Sequence, residues 1–123
     1  MKIHESGENY LETIYLLKKE LGDVRSIDIA IKLNYSKASI SRAMGLLKRA
    51  NYITIDNQGH IQLTKVGQTK ANEIYDRHLV LTKFFMLTID LDEKIAEKEA
   101  CKIEHIISKE TFTKIKKYVE SKS

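Results

Sequence analysis

Apolar positions along this chain change their spacing partway along and then change back, which divides it into helices, a hairpin and more helices. From Glu8 to Leu21, the residues Tyr10, Leu11, Ile14, Tyr15, Leu17 and Leu21 recur every three or four positions, the stripe of an amphipathic helix. Ser6 or Gly7 can cap its start, and Gly22 follows its end. A short helix is expected from Ser26 to Leu33, with Ser26 as N-cap and Ile27, Ile29, Ala30 and Leu33 turned inward. Asn34 and Tyr35 make a brief turn, and Ser36 caps a third helix from Lys37 to Ala50 with Ile40, Met44, Leu47 and Ala50 on its apolar side. The period then falls to two. Ile53 and Ile55 flank Thr54, Ile61 and Leu63 flank Gln62, and Asp56-Asn57-Gln58-Gly59 between them are turn formers, so a β-hairpin is expected. Thr64 caps a long helix from Lys65 to Leu87, broadly apolar in its later half. Asp90-Leu91-Asp92 is a loop and a cap. One helix is expected from Asp92 to Ile107, and after Ser108 a last one from Lys109 to Val119.

Three short helices, a hairpin and a helix follow the order of a winged helix-turn-helix. The expected fold is mainly α: an N-terminal winged helix-turn-helix with a small β-hairpin wing over residues 1–70, then an α-helical region over 71–123. Zero prolines and five glycines in a chain rich in Lys, Glu, Leu and Ile agree with mostly helix. The single cysteine allows no intramolecular disulfide, so a reducing, cytoplasmic setting is expected. No apolar run follows Lys2, so no signal peptide is expected, and no stretch reaches the ~18 apolar residues of a membrane span.

The net charge of +4 is unevenly spread. Residues 24–70 carry eight Lys/Arg against Asp28 and Asp56, whereas the segments on either side are acidic or balanced. A basic excess confined to the middle third is a footprint for phosphate. In a winged helix the third helix enters the major groove by its N-terminal residues. Here these are Ser36, Lys37, Ala38, Ser39, Ser41 and Arg42. Serine hydroxyls and helix N-terminal amides suit phosphate; Lys37 and Arg42 suit guanine or backbone charge; Ala38 suits a thymine methyl. Asn57, Gln58 and His60 at the wing tip would lie near the flanking backbone. Some winged helices bind protein instead, but the basic middle third favours double-stranded DNA.

Toward the C-terminus, Cys101, Glu104 and His105 are spaced i, i+3 and i+4, which stacks a thiol, a carboxylate and an imidazole on one helical face. All three are transition-metal ligands. A lone cysteine on a helix is more often a small core residue, so the trio matters more than its members. Two further features sit elsewhere: Glu12 with Asn9 a turn before it on the first helix, and His78 beside Arg77 in the apolar half of the long helix. They join the trio only if the first helix packs on the later ones.

With these residues in view, the chain resembles the diphtheria toxin repressor / manganese transport regulator (DtxR/MntR) family. The resemblance rests on Asn9-Tyr10-Leu11-Glu12-Thr13-Ile14-Tyr15, Arg77-His78-Leu79 and Glu99-Ala100-Cys101-Lys102-Ile103-Glu104-His105, and extends from Glu8 to Val119. It implies a metal-activated, homodimeric regulator, a repressor of metal-homeostasis genes on a pseudo-palindromic operator. It implies Glu12, His78, Cys101, Glu104 and His105 as metal ligands. Asn9 falls where relatives have an aspartate or a methionine, and its amide oxygen is a weaker, neutral donor. Thr82 and Glu97 stand where some relatives have a glutamate and a histidine of an ancillary site, so two sites of the iron-repressor type are not expected. The expected shape is the short form without an SH3-like domain. Thiolate softness favours iron, zinc or cobalt and the oxygen ligands favour manganese. Fe2+ or Mn2+ is therefore expected in the cell, with Zn2+ or Co2+ as occupants in vitro. Ligation needs a deprotonated Cys101 and neutral histidines, so metal binding should weaken as pH falls.

Dimerisation is also expected from an excess of apolar residues over one small core: Leu79, Leu81, Phe84, Phe85, Ile89, Ile95, Ile106 and Ile107. Across such a dimer, a cation tying the first helix to the rear helices would set how the two reading heads are spaced. The alternative is a metal-free winged-helix regulator that senses a small ligand or oxidation of Cys101. An enzyme is not expected, because Cys101 and His105 lack an oxyanion-hole loop or a third group.

Overall fold

The computed structural model describes residues 5–122. The chain divides into two compact units that meet in sequence at Asn72 and Glu73. The first holds α1 (Glu5–Leu21), α2 (Ser26–Leu33), α3 (Lys37–Arg49), β1 (Ile53–Ile55), β2 (Ile61–Leu63) and the opening turns of α4 (Lys65–Ile89). The second holds the rest of α4, then α5 (Glu93–Ile103) and α6 (Lys109–Ser121). This is the mainly α, winged helix-turn-helix architecture expected from the pattern.

In the first unit the apolar stripes of α1 and α3 close over one core. Leu11, Ile14 and Leu17 meet Ile29, Ile40, Met44, Leu47, Ile53 and Ile61, all buried. Removing such a side chain, as in Leu11→Ala, costs about 2–5 kcal/mol in typical cores. The hairpin pairs Ile53 with Leu63, Thr54 with Gln62 and Ile55 with Ile61, antiparallel. Period-two alternation puts Ile53 and Ile61 inside and leaves Thr54 and Gln62 exposed. The far edge of β2 is not left open: the Ile61 amide donates to the Val24 carbonyl at 2.7 Å, which lays the segment before α2 alongside the wing.

Several local expectations change. Helix α1 already includes Glu5, so Ser6 and Gly7 lie within it rather than capping it. Ser26 is the first helical residue of α2; the N-cap is Arg25. Its amide donates to Asp28 Oδ2 at 2.9 Å while the Asp28 amide donates to the Arg25 carbonyl at 3.0 Å. The capping oxygen therefore comes from inside the helix, the second half of a capping box. Ile27 is exposed, not inward, because it lies about 200° around the helix from buried Ile29. Leu21, at the last turn of α1, is exposed as well. Asn34 takes the left-handed conformation (φ 58°) that ends α2, a conformation asparagine tolerates better than most residues.

In the second unit Ile74, Leu81, Ala96, Ala100 and Val119 are buried. Phe84 of α4 meets Tyr118 of α6 edge to face at 5.9 Å, and Lys116 pairs with Asp76 at 3.0 Å. Asp92 and Ser108 cap α5 and α6 as expected. The helix expected from Asp92 to Ile107 stops at Ile103. Ser108 must be extended (ψ 153°) to cap α6, so the chain tightens beforehand, with the Ile106 amide bonding to the Ile103 carbonyl. Leu81, expected at a partner interface, is fully buried. Leu79, Ile89, Ile95 and Ile106 remain exposed.

The α4 start shows how closely the wing is fitted. The Thr64 hydroxyl donates to the Asn51 carbonyl (2.7 Å) and accepts from the Gly67 amide (3.0 Å). A methyl group on Gly67 would collide with the backbone carbonyl of Tyr52. Gly67→Ala is therefore expected to destabilise the first unit by at least about 1–3 kcal/mol, read as a drop of several degrees in melting temperature. An unchanged Tm would show that this contact is not needed.

Candidate metal centre and nucleic-acid interface

Three chain segments of the second unit build the metal-type cluster. His78 projects from α4, where the Thr82 hydroxyl bonds its carbonyl at 2.7 Å and Tyr75 stacks on its ring at 6.3 Å. Cys101 lies in the last turn of α5. Glu104 continues that turn, its amide donating to the Ala100 carbonyl at 2.9 Å. His105 follows in the tightened turn after the helix, not on it.

Glu104 is the centre of the cluster. Its side chain is 0% exposed, and each carboxylate oxygen faces one imidazole. Oε2 lies 2.9 Å from His78 Nδ1, and Oε1 lies 3.2 Å from His105 Nε2. Arg77, one residue before His78, donates from Nη1 to the Glu104 main-chain carbonyl at 3.2 Å and spreads its guanidinium over the Phe112 ring. The exposed Cys101 brings Sγ within 4.8 Å of a Glu104 carboxylate oxygen. Four of the six expected ligands, His78, Cys101, Glu104 and His105, are thus drawn together inside the second unit. The other two belong to the first: Glu12 is buried on α1, and Asn9 is half-buried one turn before it. Arg77 was visible in the sequence only as a neighbour of His78; its role as a prop for Glu104 was not.

Burying an ionised carboxylate costs several kcal/mol unless charge and hydrogen bonds compensate it. One carboxylate oxygen is in hydrogen-bond contact with His78 Nδ1 and the other faces His105 Nε2 at 3.2 Å, and a cation would satisfy the same carboxylate differently. One carboxylate, two imidazoles and a nearby thiol form the mixed oxygen, nitrogen and sulfur set that suits a first-row divalent ion. By donor chemistry the residues fit such a metal. Thr82 is buried and Glu97 exposed, and neither position supplies the glutamate or histidine of a second site.

In the first unit, Ile40 and Met44 root α3 in the core. Ser36, Lys37, Ala38, Ser39, Ser41 and Arg42 are all exposed. The Ser36 hydroxyl accepts from the Ser39 amide at 3.1 Å, which caps the helix start, and donates to the Ser39 hydroxyl at 2.9 Å. Among the described residues, neither Lys37 nor Arg42 is held in an ion pair. The wing tip is organised by Asp56. Its Oδ1 accepts the amides of Gln58 (2.8 Å) and His60 (2.9 Å), and Oδ2 faces His60 Nδ1 at 3.2 Å.

Residues 64–122 match the iron dependent repressor metal binding and dimerisation domain, and residues 2–61 match the iron dependent repressor N-terminal DNA binding domain. The chain belongs to the iron-dependent repressor family. Members are metal-activated, DNA-binding transcriptional regulators, not enzymes. An HTH-type transcriptional regulator of Methanocaldococcus jannaschii is 34% identical over 117 residues, 94% of either chain. The diphtheria toxin repressor of Corynebacterium diphtheriae is 27% identical over 119 residues, 97% of this chain and 53% of that protein. The solved manganese regulator SloR superposes with a TM-score of 0.80 at 26% identity, over 98% of this chain and 55% of its own. The chain therefore spans about half the length of the latter two.

The backbone amide of His60 is the main cause that holds the Asp56 carboxyl below the usual carboxylate range. A carboxyl lowered by folding contributes fully above its unfolded pKa and loses that contribution as pH falls through the folded value. The wing tip should therefore stay ordered while ordinary aspartates protonate, and loosen only at lower pH. Amide chemical shifts of Gln58 and His60 followed during acidification should show an inflection below the usual aspartate range. An inflection at or above that range would contradict the arrangement.

Proposed function

We propose that this chain is a cytoplasmic, homodimeric regulator, a repressor of metal-homeostasis genes, whose affinity for a pseudo-palindromic operator rises when Fe2+ or Mn2+ binds. The observation that carries the reading is the fully buried Glu104 carboxylate with an imidazole on each oxygen. His78, Cys101, Glu104 and His105 hold the ion, and Glu12 and Asn9 complete the set that the family resemblance assigns. A bound divalent ion supplies positive charge and a fixed coordination demand at these side chains. Arg77 and Thr82 keep Glu104 and His78 in place from the backbone side. The DNA-reading residues are Ser36, Lys37, Ala38, Ser39, Ser41 and Arg42, and the exposed Leu79, Ile89, Ile95 and Ile106 support a second copy as partner. No described helix is long and apolar enough to cross a membrane. Membership of a metal-activated family sets aside a metal-free sensor of a small ligand or of Cys101 oxidation.

Coupling between metal and DNA is reciprocal and usually amounts to about 1–3 kcal/mol, or 5- to 150-fold in affinity. Glu104→Ala should abolish the metal-stimulated gain in affinity for a duplex selected by the metal-loaded protein, while sedimentation still shows a dimer. Glu104→Gln, which keeps the shape but removes the charge and one acceptor oxygen, should do the same. Undiminished stimulation in either variant would refute the ligand assignment. Arg42→Ala should weaken that DNA complex while leaving the metal affinity of the free protein unchanged, as read by calorimetric titration. Equal loss of both would overturn this division of labour.

A further inference from the structure

The wing is short of the charge that a DNA-facing wing needs. From Ile53 to Leu63 it contains no lysine or arginine, and its one charged residue is Asp56. That carboxylate is committed to the tip, bonded to the amides of Gln58 and His60. A hairpin of this composition would carry negative charge toward phosphate.

A cation is nevertheless present at the tip, and it comes from another element. Arg25, the N-cap of α2, donates from Nε to the Gln58 carbonyl at 3.1 Å, across 33 residues of sequence. The reach is short because the Ile61 amide is already bonded to the Val24 carbonyl. Nε is one of five guanidinium donors. Among the described residues no carboxylate pairs with this guanidinium, and Asp28 is engaged with the Arg25 main-chain amide. Among the described residues the terminal Nη1 and Nη2 have no hydrogen-bond or ion-pair partner, and the side chain is exposed. A planar fork with one edge pinned to the wing and the other open is preorganised for a phosphate oxygen pair.

From this we infer that Arg25 is the wing's phosphate contact: a positioning residue that holds the Asp56–His60 turn through Gln58 and lends the turn its missing positive charge. This rests on the DNA-binding reading of the first unit. It also explains how the basic excess of residues 24–70 can serve a wing that has no lysine or arginine of its own. The α2 cap uses the Arg25 backbone and the Asp28 side chain, so the guanidinium can be replaced without uncapping the helix.

The test measures affinity of the full-length protein for a mixed-sequence DNA duplex of about three helical turns, between about 50 and 200 mM salt. Each phosphate contact contributes about 0.9 to the slope of log affinity against log salt. Arg25→Gln should lower the magnitude of that slope by about 0.9 and weaken binding several-fold at low salt, without changing the melting temperature. Arg25→Lys should recover the slope, because the charge is retained. A lost affinity with an unchanged slope would mean that Arg25 only braces the hairpin, and an unchanged affinity would mean that it does neither; both overturn the inference. A wild-type chain with no salt-dependent affinity for the duplex would overturn the DNA-binding reading itself, and this inference with it.

Discussion

A carboxylate that water cannot reach must be answered by protons or by a cation, and Glu104 places that demand at the centre of the second unit. Its two oxygens meet His78 and His105, which come from different segments. The local structure is arranged to make this possible. Helix α5 ends at Ile103, the chain tightens, and the turn that follows brings His105 to the same carboxylate. Arg77 and Thr82 fix the backbone carbonyls of Glu104 and His78, so the two acidic and basic partners meet with little freedom. A buried arrangement of this kind contributes little to stability by itself. Its value lies in holding several donors ready in one place.

The first unit answers a different constraint, which is to present polar groups on a rigid base. Ile40 and Met44 anchor α3, so its outer side is free to carry serine, lysine and arginine. The hairpin is only three residues per strand, too short to be stable alone. It is braced by Val24 along one edge, by the Thr64 hydroxyl and Gly67 behind it, and by the Asp56 turn at its tip. Rigidity here matters because a loose wing would lose entropy on meeting DNA.

What was legible in the sequence is what local chemistry decides. Ser36, Thr64, Asp92 and Ser108 announce helix starts because a side-chain oxygen two or three residues before an amide is a near-neighbour effect. The hairpin was legible because its alternation has a period no helix shares. The helix-turn-helix order, the basic segment and the Cys101, Glu104 and His105 spacing were likewise visible. The cap of α2 was not, because Asp28 reaches back from inside the helix. The end of α5 is not legible because apolar spacing continues through Ile103, Ile106 and Ile107, while the decisive demand comes from Ser108, which must be extended to cap the next helix. Contacts between residues far apart in sequence, such as Arg77 with Glu104 and Arg25 with Gln58, leave no periodic trace. Within the candidate metal set, chain spacing pointed to the trio, and only the folded second unit brings His78 to it.

The central claim is that Glu104, His78, His105 and Cys101 together hold one divalent ion. X-ray absorption at the metal edge of the purified, metal-loaded protein tests it most directly. One ion per chain is expected, with imidazole scattering from two histidines and a sulfur contribution that disappears in Cys101→Ser. A bound ion surrounded by oxygen alone, with neither imidazole nor sulfur in its shell, would contradict it.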